Sequence, residues 1–508
     1  MFATEAYYGW TKSIGGTAIE GGKQIAADSS GNTFTVGYFQ GTVNFDDTGG
    51  TDSHISAGGT DIFITKYNSD SSYGWTKSLG GSSNDSGLGV ATDPSGNIFT
   101  VGSFQGTVNF NEGGTDNHTS AGLTDIFINK YNADGSYGWT KSLGSTGDDK
   151  ISGVVTDTSG NIFTIGYFSG TVNFNEGGTD NHVSAGNTDI FVTKYNADGS
   201  YGWTKSLGGA GYDVGSNITL DLSGNIFATG YFSSTANFNE GGIDNHTSAG
   251  NYDIFITKYN ADGSYGWTKS VGGTGNDIGN SVTADSSCNI FTVGYFAGTA
   301  NFNEGGTDNH TSSGGDDIFI TKYNADGSYG WTKSLGGTGT DRGNGISIDS
   351  GGNIIATGHF SGTANFNEGG TDNHVSAGSY DIFITKYKAD GSYGWTKSVG
   401  GTGADSAVSV AVDSSSNIFI TGSFIGTVNF NEGGTDNHTS TSGSYDIFIT
   451  KYTLDYTAPS ISLTGIDYTG DTTPSLTGTA TDALGTVASV EYQMDGTGGL
   501  WTACTADD

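Results

Sequence analysis

Short runs in which apolar and β-branched residues alternate recur along the chain, and Gly, Asn and Asp fill the gaps between them. The run DIFITKY at residues 61 to 67 is typical, since Ile62 and Ile64 alternate with Phe63 and Thr65. A period of two with aromatic and β-branched residues predicts β-strands, and sequences such as NADGS and DPSGN suit tight turns. Because both faces of these runs are fairly apolar, the pattern predicts sheets that are covered on both sides.

The runs belong to a long internal repeat, which a tryptophan in the sequence YGWTKS marks. Its copies are Trp10, Trp75, Trp139, Trp203, Trp267, Trp331 and Trp395. Each period of about 64 residues contains four strand-like runs, which we label A to D in chain order. Strand A ends in the D-x-SGN turn, strand B is NIFTVGYF or a relative, strand C is DIFITKY, and strand D carries the tryptophan. The polar sequence NEGGTDNH lies between strands B and C.

A four-stranded antiparallel unit cannot bury two apolar faces alone, and radial packing of such units solves this problem in a β-propeller. The first unit opens with strand D, whereas the last unit ends with strand C at residues 446 to 452. The sequence therefore predicts an all-β fold, a seven-bladed β-propeller of four-stranded antiparallel blades. Its ring would be closed by pairing the strand around Trp10 with the strand around Phe448 in one blade. The alternative is an open β-solenoid, which would leave these two half-units unpaired.

The sequence DIFITKYNADGSYGWTKSLGG, the D-x-SGN-IFTVGYF strand pair and the SAG-x-x-DIF return resemble the bacterial β-propeller repeat called the SBBP repeat, over residues 5 to 452. The resemblance implies a scaffold in an extracellular or cell-surface setting and carries over no catalytic residues. Residues 457 to 508 resemble the opening strands of a bacterial immunoglobulin-like domain, about half of a sandwich that needs roughly 100 residues. We expect a propeller at residues 1–455 and a truncated immunoglobulin-like β domain with a short linker at residues 456–508.

Composition narrows the classes of partner. Lysine and arginine total 18 against 53 acidic residues, a formal net charge of −35, so nucleic acid is not an expected partner. No apolar run approaches the roughly 18 residues of a membrane helix, which argues against membrane insertion. We expect a monomeric domain of a longer chain that binds a protein or a glycan. No secretory signal is visible in MFATEAYYGW, and Cys288 and Cys504 have neither metal-ligand nor redox spacing.

Antiparallel order predicts which face of the propeller binds. The A–B and C–D turns are short and share one face, whereas the B–C segment and the D–A loop are long and share the other. We call the second face the candidate binding face, because loops on a rigid scaffold commonly carry function.

Each D–A loop has an acid ten residues after its tryptophan. These acids are Glu20, Asp85, Asp149, Asp213, Asp277, Asp341 and Asp405. A ring of carboxylates at the mouth of a central channel would suit a hard cation, and calcium is the one cofactor that we consider. The alternative is that each acid accepts hydrogen bonds from the backbone of its own loop.

The NEGGTDNH segment offers a second candidate metal site within one blade. Asp116 and His118 are two residues apart and would point the same way in an extended segment, with Glu112 returning across a Gly-Gly bend. Histidines of different blades cannot share one ion, because neighbouring sheets are separated by about 10 Å. The spacing matches neither of the H-E-x-x-H and EF-hand patterns, so a polar hairpin with a structural histidine is the alternative.

A few polar residues break the repeat, and we expect Tyr212, Arg342 and His359 to contribute to binding. Because near-identical copies offer the same acids in every unit, we expect no catalysis. The leading hypothesis is a non-catalytic extracellular or cell-surface scaffold that presents its B–C and D–A loops to a protein or glycan. The alternatives are a polysaccharide hydrolase or lyase and a calcium-stabilised spacer.

Overall fold

Strands form at all the runs described above in the computed structural model, which describes residues 6–454, 460–467, 475–481, 492–494 and 501–503. The A strands are Glu20–Ala27, Ser86–Thr92, Lys150–Thr156, Asp213–Leu220, Ile278–Ala284, Arg342–Ile348 and Ser406–Val412. The B strands are Thr33–Phe39, Ile98–Phe104, Ile162–Phe168, Ile226–Phe232, Ile290–Asn301, Ile354–Phe360 and Asn417–Phe424. The C strands are Asp61–Tyr67, Asp125–Tyr131, Asp189–Tyr195, Asp253–Tyr259, Asn309–Tyr323, Asp381–Tyr387 and Asp446–Leu454. The D strands are Ala6–Ile14, Tyr73–Leu79, Tyr137–Leu143, Tyr201–Gly209, Tyr265–Gly273, Tyr329–Gly337 and Tyr393–Val399.

The long polar segment between strands B and C folds into a hairpin of its own, which we call the outer hairpin. Its strand pairs are Thr42–Asn44 with Ser53–Ile55, Thr107–Asn109 with Asn117–Thr119, Thr171–Asn173 with Asn181–Val183, Thr235–Asn237 with Asn245–Thr247, Thr363–Asn365 with Asn373–Val375, and Thr427–Asn429 with Asn437–Thr439. In the fifth repeat strands B and C run on into the hairpin without a break. A 3-10 helix, Thr441–Gly443, precedes the last strand C.

The chain is an all-β propeller, and its A strands line the axis. Each strand A contacts the A strands of the two neighbouring repeats, and the last of them, Ser406–Val412, contacts the first, Glu20–Ala27. The ends of the repeat array meet as their sequences predict, because the hydroxyl of Thr11 donates to that of Thr450 over 2.9 Å. The circle of inner strands is therefore closed.

The prediction of a seven-bladed propeller built from four-stranded antiparallel blades is wrong. Within residues 6–454 the sheets of four or more strands comprise four with four strands, one with six and one with ten. The larger sheets arise where the Gly-Gly end of strand D pairs with the outer hairpin of the next repeat, as Gly208 and Gly209 do with Asn237 and Ala236. A Cβ on Gly209 would lie 1.9 Å from the carbonyl oxygen of Thr235, so the close approach needs glycine. The third to sixth repeats are therefore joined by backbone pairing, and the count of four strands missed the hairpin.

The hydrophobic core lies between neighbouring repeats. One cluster, for example, joins Phe99 and Ile126 of the second repeat to Ile162 and Phe191 of the third, all without exposed surface. Such packing covers both faces of each sheet, as the apolar runs predict. Each repeat is consequently stable only beside its neighbours.

Contacts divide the chain into a unit of residues 10–451 and a unit of residues 1–9 and 452–508. In the second unit, Ser460–Asp467 pairs with Ser475–Thr481, and Tyr492–Met494 pairs with Trp501–Ala503. The remainder of the segment assigned to an immunoglobulin-like domain, including Cys504, lies outside the described residues. That assignment and the boundary at residue 455 stay predictions. The described residues include no helix that is long and apolar enough to cross a membrane.

Candidate functional site

The acids of the D–A loops lie beneath the candidate binding face and are almost fully buried. The carboxylate of Asp85 shows the arrangement, since Oδ2 accepts from the backbone N–H of Gly81 over 2.8 Å and Oδ1 accepts from that of Gln105 over 2.9 Å. Asp149, Asp213, Asp277, Asp341 and Asp405 accept the equivalent pair of backbone hydrogen bonds. These oxygens therefore fix the D–A loop against the start of the B–C segment, and a cation role for them stays a prediction.

A second buried carboxylate accompanies each of these acids, at the start of the DIF sequence of strand C. A Cβ placed on Gly208 would lie 2.8 Å from Oδ1 of Asp189 and 2.8 Å from Oδ2 of Asp213, so the two carboxylates face the same space. Throughout the described repeats, Oδ1 of this second aspartate is buried without a hydrogen-bond partner. The residues concerned are Asp61, Asp125, Asp189, Asp253, Asp317, Asp381 and Asp446.

Burial makes these carboxyl pairs favour the protonated form. It raises the pKa of Asp189 to about 6 and that of Asp213 to about 7. Burial also raises the pKa of Glu20, the acid of the first repeat, to about 8, and the nearby carboxylate of Asp446 adds to the effect. No lysine or arginine contributes to these three shifts.

The NEGGTDNH segment is the turn and second strand of the outer hairpin, and its polar side chains hold that turn together. Oδ1 of Asn109 accepts from the backbone N–H of Asp116 over 2.8 Å, and Nδ2 of Asn109 donates to the carbonyl of Gly114 over 3.1 Å. The hydroxyl of Tyr137 on strand D donates to the carboxylate of Asp116. The same bonds recur in the other repeats.

The outer hairpins also bind one another around the ring. Nε2 of His246 lies 3.1 Å from Oδ2 of Asp244 in its own hairpin, while Nδ1 lies 3.1 Å from Oε1 of Glu304 in the next. Nζ of Lys269 lies 3.5 Å from Oε2 of the same glutamate. The hydrogen bond with Glu240 raises the pKa of the equivalent His182. These contacts make the outer hairpins a continuous ring of hydrogen bonds and ion pairs.

Only two of the three candidate metal ligands of one blade lie close together. Nε2 of His118 lies 3.2 Å from Oδ2 of Asp116, whereas Glu112 points to the preceding repeat, where its carboxylate lies 3.6 Å from His54 and 3.7 Å from Lys77. Among the residues that the structure describes, no group of three or more His, Cys, Asp or Glu side chains could hold a metal ion. The intra-blade metal site stays a prediction without a complete set of ligands.

Apart from His359, sequence reasoning missed a set of residues at the axial end of the candidate binding face, which we call the inner rim. Each repeat contributes two residues to it. One is the strand-B residue that pairs with the start of strand A, and the other is the residue that precedes the DIF sequence. The strand-B members are Tyr38, Ser103, Tyr167, Tyr231, Tyr295, His359 and Ser423. The members before DIF are Thr60, Thr124, Thr188, Tyr252, Asp316, Tyr380 and Tyr445. A position-by-position comparison of the repeats could have found them, because the residue at each of the two positions differs between repeats.

The aromatic members of the inner rim are close to one another. The rings of Tyr231 and Tyr252 meet edge to face with centroids 5.1 Å apart. Burial, together with the neighbouring phenols of Tyr252, Tyr167 and Tyr295, raises the pKa of Tyr231 to about 12. A row of half-buried tyrosines from successive repeats therefore surrounds part of the axis.

Two of the three residues predicted from symmetry breaking come together, His359 in the inner rim and Arg342 on the adjacent strand A. Arg342 and His359 pair across strands A and B, and Nε of Arg342 donates to Oδ2 of Asp316 over 2.8 Å. The guanidinium of Arg342 lies 4.3 Å above the ring of Tyr295. Nδ1 of His359 lies 3.0 Å from the hydroxyl of Ser406, and burial lowers the pKa of this histidine to about 4.

The third residue, Tyr212, lies apart from this pair on the D–A loop before strand A of another repeat, with 51% of its surface exposed.

A cavity of about 470 Å³ occupies the axis and is lined by strand-A residues of every repeat. Amides and hydroxyls alternate there with apolar side chains, and Lys23 is the one charged residue of its lining. The cavity falls within the usual size of small-molecule sites.

Three stretches of the chain, residues 74–103, 202–239 and 394–423, match a family model described as a beta-propeller repeat. The protein is thus a β-propeller repeat protein. An uncharacterised WD repeat-containing protein of Acanthamoeba polyphaga mimivirus is 27% identical over 504 residues, which cover 83% of this chain and 36% of the relative. The match therefore spans little more than a third of that relative.

Two solved structures illustrate the range of folds that resemble the chain. A puromycin hydrolase is 11% identical, with a TM-score of 0.43, over 87% of this chain and 56% of its own. The polysaccharide lyase Uly1 is 12% identical, with a TM-score of 0.40, over 88% of this chain and 92% of its own. Similarity at this level assigns no activity to the protein.

Proposed function

We propose that the protein is a non-catalytic propeller that binds a glycan at the inner rim, outside the cell or at its surface. The observation that carries the proposal is the row of half-buried tyrosines at positions where the repeats differ. The outer hairpins keep their sequence in nearly every repeat, whereas the inner-rim positions differ between repeats.

Tyrosine rings suit the chemistry of sugars. The apolar face of a pyranose can pack on an aromatic ring, while its hydroxyls bond to phenols, amides and serines nearby. Tyr167, Tyr231 and Tyr295 come from three consecutive repeats, so an extended ligand would meet several rings in succession. Their burial also limits the conformational entropy that binding removes, since the rings are already held in place.

The surroundings of the polar residues support a role in binding over catalysis. General acid–base groups work best with a pKa near the operating pH, whereas the pKa of His359 is lowered to about 4. A carboxyl whose pKa is raised to about 7, such as Asp213, is fully buried and accepts hydrogen bonds from backbone N–H groups. Arg342 is held by Asp316 and Tyr295, which suits a fixed recognition surface. The extracellular setting rests on the resemblance of the repeats, and protease shaving of intact cells would test it.

A glycan array probed with the full chain tests the proposed function. We expect a restricted set of glycans to bind, and Tyr231→Ala to weaken that binding about tenfold. Leu222→Ala is the matched control, because Leu222 is 82% exposed on the A–B turn of the opposite face. An array without bound glycans, equal losses in the two variants, or turnover of a bound polysaccharide would contradict the proposal.

A further inference from the structure

The central cavity contains one lysine where the other repeats have neutral residues. Lys23 occupies a bulge of the first strand A, between Gly22, which pairs with Gly37, and Gln24, which pairs with Val36. The same bulge position holds Leu88, Ser152, Ser216, Asn280, Asn344 and Val408 in the other repeats. All seven of these side chains line the cavity, so a single positive charge faces six neutral groups.

The charge of Lys23 has no counterion within the described part of the chain. Its Nζ lies 5.3 Å from the centroid of the Tyr38 ring, and no carboxylate of that part lies within 4.0 Å of it. Burial lowers the pKa of the ammonium group, as expected for a cation that has lost water without gaining an anion. A half-buried charge without a partner carries part of the cost of desolvation, and a bound anion would relieve that cost.

The remaining lining suits a ligand rich in hydroxyl groups. Oε1 of Gln24 accepts from the backbone N–H of Val90 over 2.7 Å, which leaves its Nε2 directed to other acceptors. Nδ2 of Asn280 and Nδ2 of Asn344 donate to the carbonyls of Gly343 and Ala407, which leaves the two Oδ1 atoms as acceptors. The cavity therefore offers one cation together with separate amide donors and acceptors.

We propose that this cavity binds an acidic sugar, with its carboxylate on Nζ of Lys23 and its hydroxyls on the amides of Gln24, Asn280 and Asn344. The inference rests on the proposed function and names the chemical class of the ligand. Tyr38 belongs to the inner rim and also contacts Lys23, so a glycan on the rim could place an acidic unit in the cavity. The overall negative charge does not prevent this, because salt screens charges beyond about 8 Å at physiological ionic strength.

Calorimetry with the full chain at pH 6.5 tests the proposal, using glucuronate, glucose and acetate as probes. We expect glucuronate to bind at least about tenfold more tightly than either control, because only glucuronate carries both kinds of group. An oligosaccharide that ends in glucuronate forms a further arm. Tighter binding of the oligosaccharide would identify a glycan end as the source of the acidic sugar, and equal binding would identify the free sugar acid. Equal binding of glucose or acetate to the wild-type chain would overturn the proposal.

Substitutions test whether the charge of Lys23 itself is responsible for binding glucuronate. Lys23→Met is expected to lose at least about tenfold in glucuronate affinity, whereas Lys23→Arg retains most of it. Lys130→Met is the matched control, since Lys130 also stacks on an aromatic ring, with Nζ 5.6 Å from the centroid of Phe99, and lies outside the cavity. Unchanged affinity in a folded Lys23→Met chain would refute the proposal. The proposed function would survive that result if neutral glycans still bound in a manner sensitive to Tyr231→Ala.

Discussion

The outer hairpins and the inner rim share one face of the propeller but differ in what their side chains contact. In the outer hairpins, Asp244, His246 and Glu304 bind one another and the adjacent strands, so that each repeat fastens the next. In the inner rim, rings such as Tyr231 and Tyr295 keep part of their surface exposed. The polar groups of the outer hairpins form hydrogen bonds with one another and stabilise the scaffold. The partly exposed groups of the inner rim are available to contact a ligand.

Histidine shows the same contrast within a single residue type. Hydrogen bonds with Glu368 and Asp308 raise the pKa of His310 in the outer hairpin, in spite of its burial. Burial lowers the pKa of His359 in the inner rim to about 4. The hydrogen-bonded His310 therefore keeps its charge to a higher pH than the buried His359 does.

The largest effect is expected from opening the ring that supports both regions. Deleting residues 1–14 removes the strand that pairs with the last strand C, together with Trp10 and the buried Ile14. The exposed strand edge should cost several kcal/mol and promote aggregation. Thermal melting and light scattering would measure this, with a chain that begins at residue 6 as control. Equal melting temperatures would show that the ring does not depend on this strand.

Next in size is the effect of pH on the buried carboxyl pairs. Their pKa values are raised on folding to about 6 to 8 in residues such as Asp189, Asp213 and Glu20, so protonation favours the folded state. This stabilisation is complete below a pH of about 4, which is the pKa of these carboxyl groups in the unfolded chain. It is lost as pH rises from about 4 to 8. The raised pKa of His182 acts in the same direction, because its protonated form favours the folded state and is lost as pH rises above 6.5. We expect the free energy of unfolding in urea to fall between pH 5 and 8.

A variant tests the cause of that pH dependence. In Asp189→Asn the amide nitrogen can replace the unpartnered Oδ1 and donate to Asp213, so the chain should become more stable at pH 8 by about 1 kcal/mol. The pH dependence should shrink as well. Asp198→Asn is the control, because Asp198 is exposed in the turn before strand D. Destabilisation at pH 8 by the first substitution would contradict the account.

A smaller effect is expected from breaking one link of the outer hairpins. Glu304→Gln weakens the contacts with His246 and Lys269, and partly exposed ion pairs contribute about 0.2–1 kcal/mol each. Glycan binding should not change, because this residue lies away from the inner rim. Denaturation and binding measured on the same preparation would check this prediction. A loss of glycan affinity without a loss of stability would show that the outer hairpins take part in binding.

The smallest effect concerns two turns outside both regions. Cys288 and Ser416 stand where other repeats have glycine, and both adopt the left-handed conformation, with φ of 62° and 61°. Cys288→Gly should therefore stabilise the chain by up to about 1 kcal/mol. Ser416→Gly should gain less, because it also removes a 2.6 Å hydrogen bond with Ser350. Urea denaturation would rank the two, and the opposite order would contradict the turn argument.

The strands and the closure of the repeat array could be predicted because period-two runs and complementary ends are local signals. The joining of sheets could not, since it depends on how closely Gly208 and Gly209 approach the hairpin of the next repeat. The loop acids illustrate a similar limit. Asp85 looks like a ligand in a loop sequence, yet its oxygens are occupied by the N–H groups of Gly81 and Gln105. Which partner a carboxylate finds is decided by packing between distant segments.

The most direct test of the central claim compares glycan affinity with stability in variants of the two regions. Calorimetry and thermal melting would be applied to Tyr167→Ala, Tyr231→Ala and Tyr295→Ala, and to Glu240→Gln and Glu304→Gln, with a glycan taken from the array. The account predicts that the inner-rim variants lose about tenfold in affinity while their melting temperatures change by less than about 4 °C. It also predicts that the outer variants keep their affinity. Affinity that is lost in the outer variants and kept in the inner-rim variants would contradict the account.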